Sequence, residues 1–317
     1  MNTIAKQNKR PSNGEGMKNL ILFSMCIPGL IVLFINSYLP MAGIVMAFQR
    51  IDYNKFAFAG KWVGMRNLKV FFSSTYTPVI IRNTLLYNLA FIVLGRIFSL
   101  AFAIMLNELR GKTAKKLYQG IMFLPYFISW IAVSYLAVGF LHNDYGLINS
   151  VMKGMGMEAV PWYQTPSVWP YVIIFLNVWK GVGYGTIMFL ATIAGIDPAL
   201  YEAARIDGAS RWQQITNITL PMLYHMIIIL TLLNIGSIFN TDIGLFYTVP
   251  LRRSNGILKN VTETMDTYAY VTYSNGTSAS AMNLSAAASL IQSVIGFVLV
   301  VSSNLIVRKI NKDYALY

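Results

Sequence analysis

The chain has 317 residues, of which 56% are hydrophobic and only 12% charged, and its net charge is +13. A soluble domain carries roughly 25% charged residues, and the polar stretches here are too few to coat so much apolar surface, which excludes a soluble globular protein. The basic residues fall between the apolar runs rather than in one patch, so the charge speaks for membrane orientation and not for a nucleic-acid partner.

Six apolar runs reach the length of about 20 residues that crosses a bilayer, so the expected fold is all-α, a polytopic membrane protein of six transmembrane helices. Residues 1–19, with Lys6, Lys9, Arg10 and Lys18, read as a cytoplasmic tail. The first span, 20–48, is longer than a signal-peptide core and no small-residue cleavage site follows it; Pro28 and Pro40 are expected to kink it. The single cysteine, Cys26, lies inside it, so there is no disulfide framework. An aromatic loop over 50–78, with Trp62, leads to span two at 84–106, which holds Arg96 near its middle. A short basic loop, 108–116, precedes span three at 121–141, with Pro125 at its start. A polar loop follows, then span four at 169–193, a polar segment at 197–221, span five at 222–246, a long loop, span six at 284–307 and a basic tail at 308–317. Cations in the tails and in the loop from Arg110 to Lys116 place both termini, with 197–221, in the cytoplasm, although Arg50, Lys55, Lys61, Arg66 and Lys69 lie on the other side.

Every part of the segment 197–221 has a physical role. Asp197 caps a helix that begins at Pro198, and Gly208 suits a left-handed end. Ser210 with Gln213 forms a capping box for a second helix, which Pro221 is expected to stop. Two short capped helices joined by a glycine bend make a protruding knob suited to docking another protein.

The spans carry polar stripes. Asn177, Lys180 and Tyr184 share one helical face of span four, and Asn234, Ser237 and Thr241 do so in span five. Ser289, Gln292 and Gly296 repeat the spacing in span six. A cation such as Lys180 or Arg96 at membrane depth costs about 2.5–3.5 kcal/mol and persists where it faces a water-filled path or a partner. The stripes therefore outline a hydrophilic substrate path, with Trp179 and Phe175 beside it as aromatic faces for a sugar. The alternative is hydrogen bonding between helices, at about 0.6 kcal/mol per bond.

Enzyme signatures are missing. His142 and His225 are the only histidines and have no second ligand at metal spacing, so neither a metal site nor catalytic residues are expected. No P-loop occurs, so ATP does not bind here through one. The glycines Gly181, Gly183 and Gly185 lie inside a span, where close helix packing through Gly181 and Gly185 is expected. A secondary transporter would show inverted repeats, and a membrane enzyme clustered acids or histidines; neither is visible.

The segment 197–221 resembles the EAA motif of permease subunits of ATP-binding-cassette importers: Glu202, Ala203, Ala204, Gly208, Ile218, Leu220 and Pro221 meet the pattern with no departure. YLPMAGIVMAF, WVGMRNLKVFF, FLPYFISW, WKGVGYGTI and the terminal DYALY are similar to the carbohydrate-uptake type, in its polysaccharide and oligosaccharide branch. The resemblance implies a type I importer permease architecture and an ATPase-coupling segment through Glu202, Ala203, Ala204, Asp207, Gly208 and Ser210. It also implies a second homologous permease as heterodimer partner, two cytoplasmic ATP-binding subunits that hold ATP and magnesium, and an extracytoplasmic solute-binding lipoprotein that delivers the sugar in a bacterial cell membrane. A non-sugar solute is the alternative cargo.

Overall fold

The computed structural model describes residues 13–50, 60–109, 111–276 and 279–310. The outer parts of both tails, with Lys6, Lys9, Arg10 and DYALY, lie outside the described residues, as do Lys55 and Arg110.

Helix α1, Asn13–Leu33, takes in residues 13–19, which were expected to belong to the tail. It continues through Pro28 and loosens into a π-helical turn at Phe34–Tyr38 before tightening into a 3₁₀ stretch at Leu39–Phe48, with Pro40 at the start. A two-residue hairpin pairs β1, Gln49–Arg50, with β2, Lys61–Trp62. Helix α2, Arg66–Phe72, follows, and α3, Thr77–Glu108, begins seven residues before the expected span.

Span three is a correction. The stretch 121–141 is not one rod: α4, Lys112–Phe127, and α5, Trp130–Leu141, meet at 99°. Pro125 lies near the end of α4 rather than at a start. Ile128 and Ser129 are extended, and the Ser129 hydroxyl accepts from the Ala132 N–H at 3.2 Å, capping α5. An N-cap serine inside an apolar run is what hydropathy hides.

Helix α6, Leu147–Gly154, leads to α7, Trp169–Ala194. Then come α8, Pro198–Ile206, and α9, Arg211–Gln214, which passes through a π-helical turn at Ile215–Thr219 into α10, Leu220–Gly236. Pro221 therefore does not stop the helix. The Leu220 N–H reaches back to the Ile215 carbonyl, and the wider turn carries the chain past the proline's missing donor at the start of α10. Span five ends early, at Gly236, and a π-helical turn at Gly244–Thr248 follows the break. Short α11, Lys259–Thr262, and α12, Met265–Asn275, fill the loop before α13, Ala279–Ile310.

Among the described residues, five helices are long and apolar enough to cross a membrane, and the bent pair α4–α5 makes six if counted as one span. The chain is thus an all-α polytopic membrane protein. Helices α3, α4, α7, α10 and α13 pack as its body. Three apolar clusters hold it: one around Trp169, Ile173 and Phe246, one around Phe71, Ile80 and Ala288, and one around Phe189 and Leu223 beside the α8–α9 segment. The span Leu22–Phe48, by contrast, stays almost wholly exposed.

The end of the molecule remote from α8 is fastened by polar groups. Arg252 and Glu263 form a buried ion pair at 2.6 Å, and the Asn83 amide donates to the carbonyls of Asn260, at 2.9 Å, and Glu263, at 3.0 Å.

Candidate functional site

Two features stand out, a knob and a cavity. In the knob, the Asp197 carboxylate accepts from the Ala199 N–H at 2.9 Å at the start of α8. At its end the Ala209 N–H reaches the Ala204 carbonyl at 2.8 Å and the Gly208 N–H that of Arg205 at 3.1 Å, the paired bonds of a Schellman turn. Gly208 sits at φ +79 with open space around it, so the backbone conformation and not crowding demands glycine. The capping box is formed: the Gln213 side chain accepts from the Ser210 N–H at 2.7 Å, and Ser210 Oγ from the Gln213 N–H at 3.4 Å.

The knob is braced within itself by Tyr201 to Thr219, 2.9 Å, and by the buried Gln214 amide to the Ala209 carbonyl, 2.9 Å, and is tied to the end of α3 by Arg211 to Glu108, 3.6 Å. No residue of α8 is buried. Glu202, Ala203, Asp207, Gly208 and Ser210 are exposed, whereas Ala204 is half-buried. Glu202 lines a cleft of about 490 Å³ with Tyr201, Arg205, Arg211 and the end of α3. Two apolar side chains that motif matching did not single out, Ile206 (86% exposed) and Trp212 (72%), stand in solvent beside it. Their exposure on a well-capped element is the signal.

The cavity, about 630 Å³, lies between α3, α7, α10 and the turn after α10. It gathers Asn177 and Tyr184 of α7, Asn234 of α10, and Ser237 and Thr241, all singled out from the sequence. Asn88 and Arg96 of α3 also line it, with Asn240 and Asp242. Among the described residues the Asn177 and Asn234 side chains make no hydrogen bond, so their amides are open to a solute. Tyr184 stacks on Tyr126 at 5.1 Å.

Several expected path residues are placed differently. Thr241 lines the cavity from the break beyond Gly236 and not from a shared helical face. Lys180 turns away toward the α4–α5 break, where its ammonium donates to the Tyr126 carbonyl at 2.7 Å and lies 5.3 Å from the Trp130 ring. A carbonyl freed by the helix break gives the cation its partner. Trp179 and Phe175 line a separate apolar groove against α5. Gln292 lies behind the cavity wall, donating to Asp266 Oδ1 at 3.1 Å and to Asn240, while Asp266 accepts from Thr241 Oγ1 at 3.1 Å. Gln292 and Asp266, the latter unmarked by any motif, thus brace the rim. Ser289 is exposed while Gln292 and Gly296 are buried, so span six presents no continuous polar stripe.

Glycine packing also shifts. A side chain on Gly183 would strike the Met122 backbone and one on Gly185 the Ser99 side chain, whereas Gly181 has open space and lines the cavity. The close helix contacts are therefore at Gly183 and Gly185. Among the described residues no cluster of metal-ligating side chains occurs.

Residues 98–314 match the family described as the binding-protein-dependent transport system inner membrane component. Protein LplB of Bacillus subtilis (strain 168) is 31% identical over 99% of both chains. The polygalacturonan/rhamnogalacturonan transport system permease protein YteP of the same organism is 31% identical over 92% of this chain and 89% of that one. A crystallised bacterial ABC transporter that imports the acidic polysaccharide alginate matches with a TM-score of 0.82 and 30% identity, over 93% of this chain and 97% of that one. With the match covering most of the chain, and with the fold shared along nearly its whole length, this protein belongs to the family of binding-protein-dependent transport system inner membrane components, the permease subunits of ABC importers.

Proposed function

We propose that this chain forms half of a translocation path for an oligosaccharide, with a second homologous permease forming the other half and an extracytoplasmic binding protein delivering the sugar. The observation that carries the reading is the cavity of open amides and hydroxyls bounded by three membrane helices, on a chain whose relatives include transporters named for polysaccharides. A solved relative was crystallised in complex with a periplasmic protein holding an alginate pentasaccharide, which supports such delivery.

In the same proposal, 197–221 is the cytoplasmic input. ATP and magnesium bind to two partner ATPase subunits, and both termini share the knob's side of the membrane. Closure of the ATPase pair pulls the knobs of the two permeases together and tips the cavity from outside-facing to inside-facing, through differential binding to two states. Exposed Ile206 and Trp212 supply the apolar contact, and Glu202, Ala203 and Asp207 the polar one. The test is substrate-stimulated ATP hydrolysis by the reconstituted complex. Ile206→Asp and Glu202→Lys should each abolish the stimulation while the permease still reaches the membrane; normal stimulation in both would overturn the docking role.

A further inference from the structure

Among the described residues that line the cavity, Arg96 is the one cation, and no part of the account so far uses it. Its Nη2 donates to the Leu230 carbonyl at 2.9 Å, while its Nε is buried with no hydrogen-bond partner. The Nε has no surface open to the cavity, so the edge of the guanidinium left for a solute is the terminal one, where Nη1 has no hydrogen-bond partner among the described residues. A cation so placed at membrane depth is costly unless an acceptor joins it. The other cavity charge, Asp242, does not supply one. Its carboxylate accepts from the Trp130 indole N–H at 2.5 Å and the Gly244 N–H at 2.8 Å, and among the described residues no ion pair joins it to Arg96. Arg96 is tied to Leu230 within α10, whereas Asp242 lies in the irregular stretch after that helix ends at Gly236. The remaining polar groups near Arg96, Asn88, Asn177 and Asn234, are neutral amides that suit sugar hydroxyls.

We propose that Arg96 binds the carboxylate of a uronic-acid residue, so that the cargo is an acidic oligosaccharide. The inference rests on the translocation path proposed above. A planar guanidinium offers parallel N–H donors that match a carboxylate, and in a site of low dielectric that pairing outweighs what neutral hydroxyls provide. The neighbouring amides then hold the ring hydroxyls, and the rim braced by Asp266 and Gln292 sets the opening.

The experiment uses the complete importer, with its binding protein, in proteoliposomes. Trisaccharides of galacturonate and of mannuronate are each supplied beside their carboxyl-reduced counterparts, to the native complex and to Arg96→Gln and Arg96→Lys. ATP-driven uptake of a uronate should occur in the native complex. Arg96→Gln should raise its half-saturating concentration at least about tenfold, the loss expected for one charge-assisted hydrogen bond, with Arg96→Lys in between. Any uptake of the reduced sugar should be weakened far less than that of the uronate, and assembly of both variants is checked by size-exclusion of the solubilised complex. If Arg96→Gln leaves uronate uptake unaltered, lowers acidic and reduced sugars alike, or if only reduced sugars are carried, the carboxylate assignment fails and the importer reading stands. If ATP drives no sugar of either kind, both fail.

Discussion

At the scale of single residues, the side chains that matter divide into those that face the cavity and those that hold its wall, and spacing alone does not separate the two. Asn177 and Lys180 are three residues apart on α7, yet Asn177 lines the cavity and Lys180 anchors the α4–α5 break. Asn177→Ala and Asn234→Ala should therefore raise the half-saturating concentration for transport by roughly fivefold to tenfold each, the loss of a neutral hydrogen bond, and leave thermal stability intact. Lys180→Met should do the reverse: the assembled complex loses about 1 kcal/mol in a melting measurement, and the apparent substrate affinity stays put. Periodicity placed both residues on one face because it knows the helix and not the neighbour. The long lysine stem reaches sideways to a carbonyl that exists only because another helix is broken. Arg96 is visible in the sequence as a charge out of place, but its position in the cavity wall and its bond to the Leu230 carbonyl are not.

At the scale of elements, the caps were legible and the interruptions were not. Asp197, Gly208, Ser210 and Gln213 are recognised by local rules that act over a few residues, and the structure forms the bonds those rules require. The break at Ile128–Ser129 and the early end of α10 at Gly236 lie within apolar runs, where hydropathy is blind to the backbone. Pro221 lacks the donor that a helix interior needs, which points to a stop, but a π-helical turn carries the helix on. Gly208→Ala forces a side chain into φ +79 and should cost about 1–2 kcal/mol locally, seen as faster protease cleavage at 206–210. At the remote end, Glu263→Gln leaves Arg252 buried without its anion. It should destabilise the fold by about 3–5 kcal/mol in a thermal melt, far more than any substitution in the exposed knob.

At the scale of the whole molecule, the amount of apolar surface fixed the class, and the seven matching positions of the motif fixed the family resemblance. What one chain could not display is its company. The span Leu22–Phe48 is exposed along most of its length, and the cavity is walled by α3, α7 and α10 with no partner across it among the described residues; in the proposal above a second permease closes it. The knob lies at one end of the body and the cavity deeper within it, and the two are joined by α7, which leads into the knob at Ala194, and by α10, which leads out of it. The central claim is that the knob delivers the energy that moves the solute. It is tested most directly by ATP-driven oligosaccharide uptake into proteoliposomes bearing Gly208→Pro, since proline holds φ near −65° and cannot adopt the left-handed bend. The account predicts a variant that inserts and pairs normally yet accumulates no sugar above the ATP-free level; uptake at the native rate would contradict it.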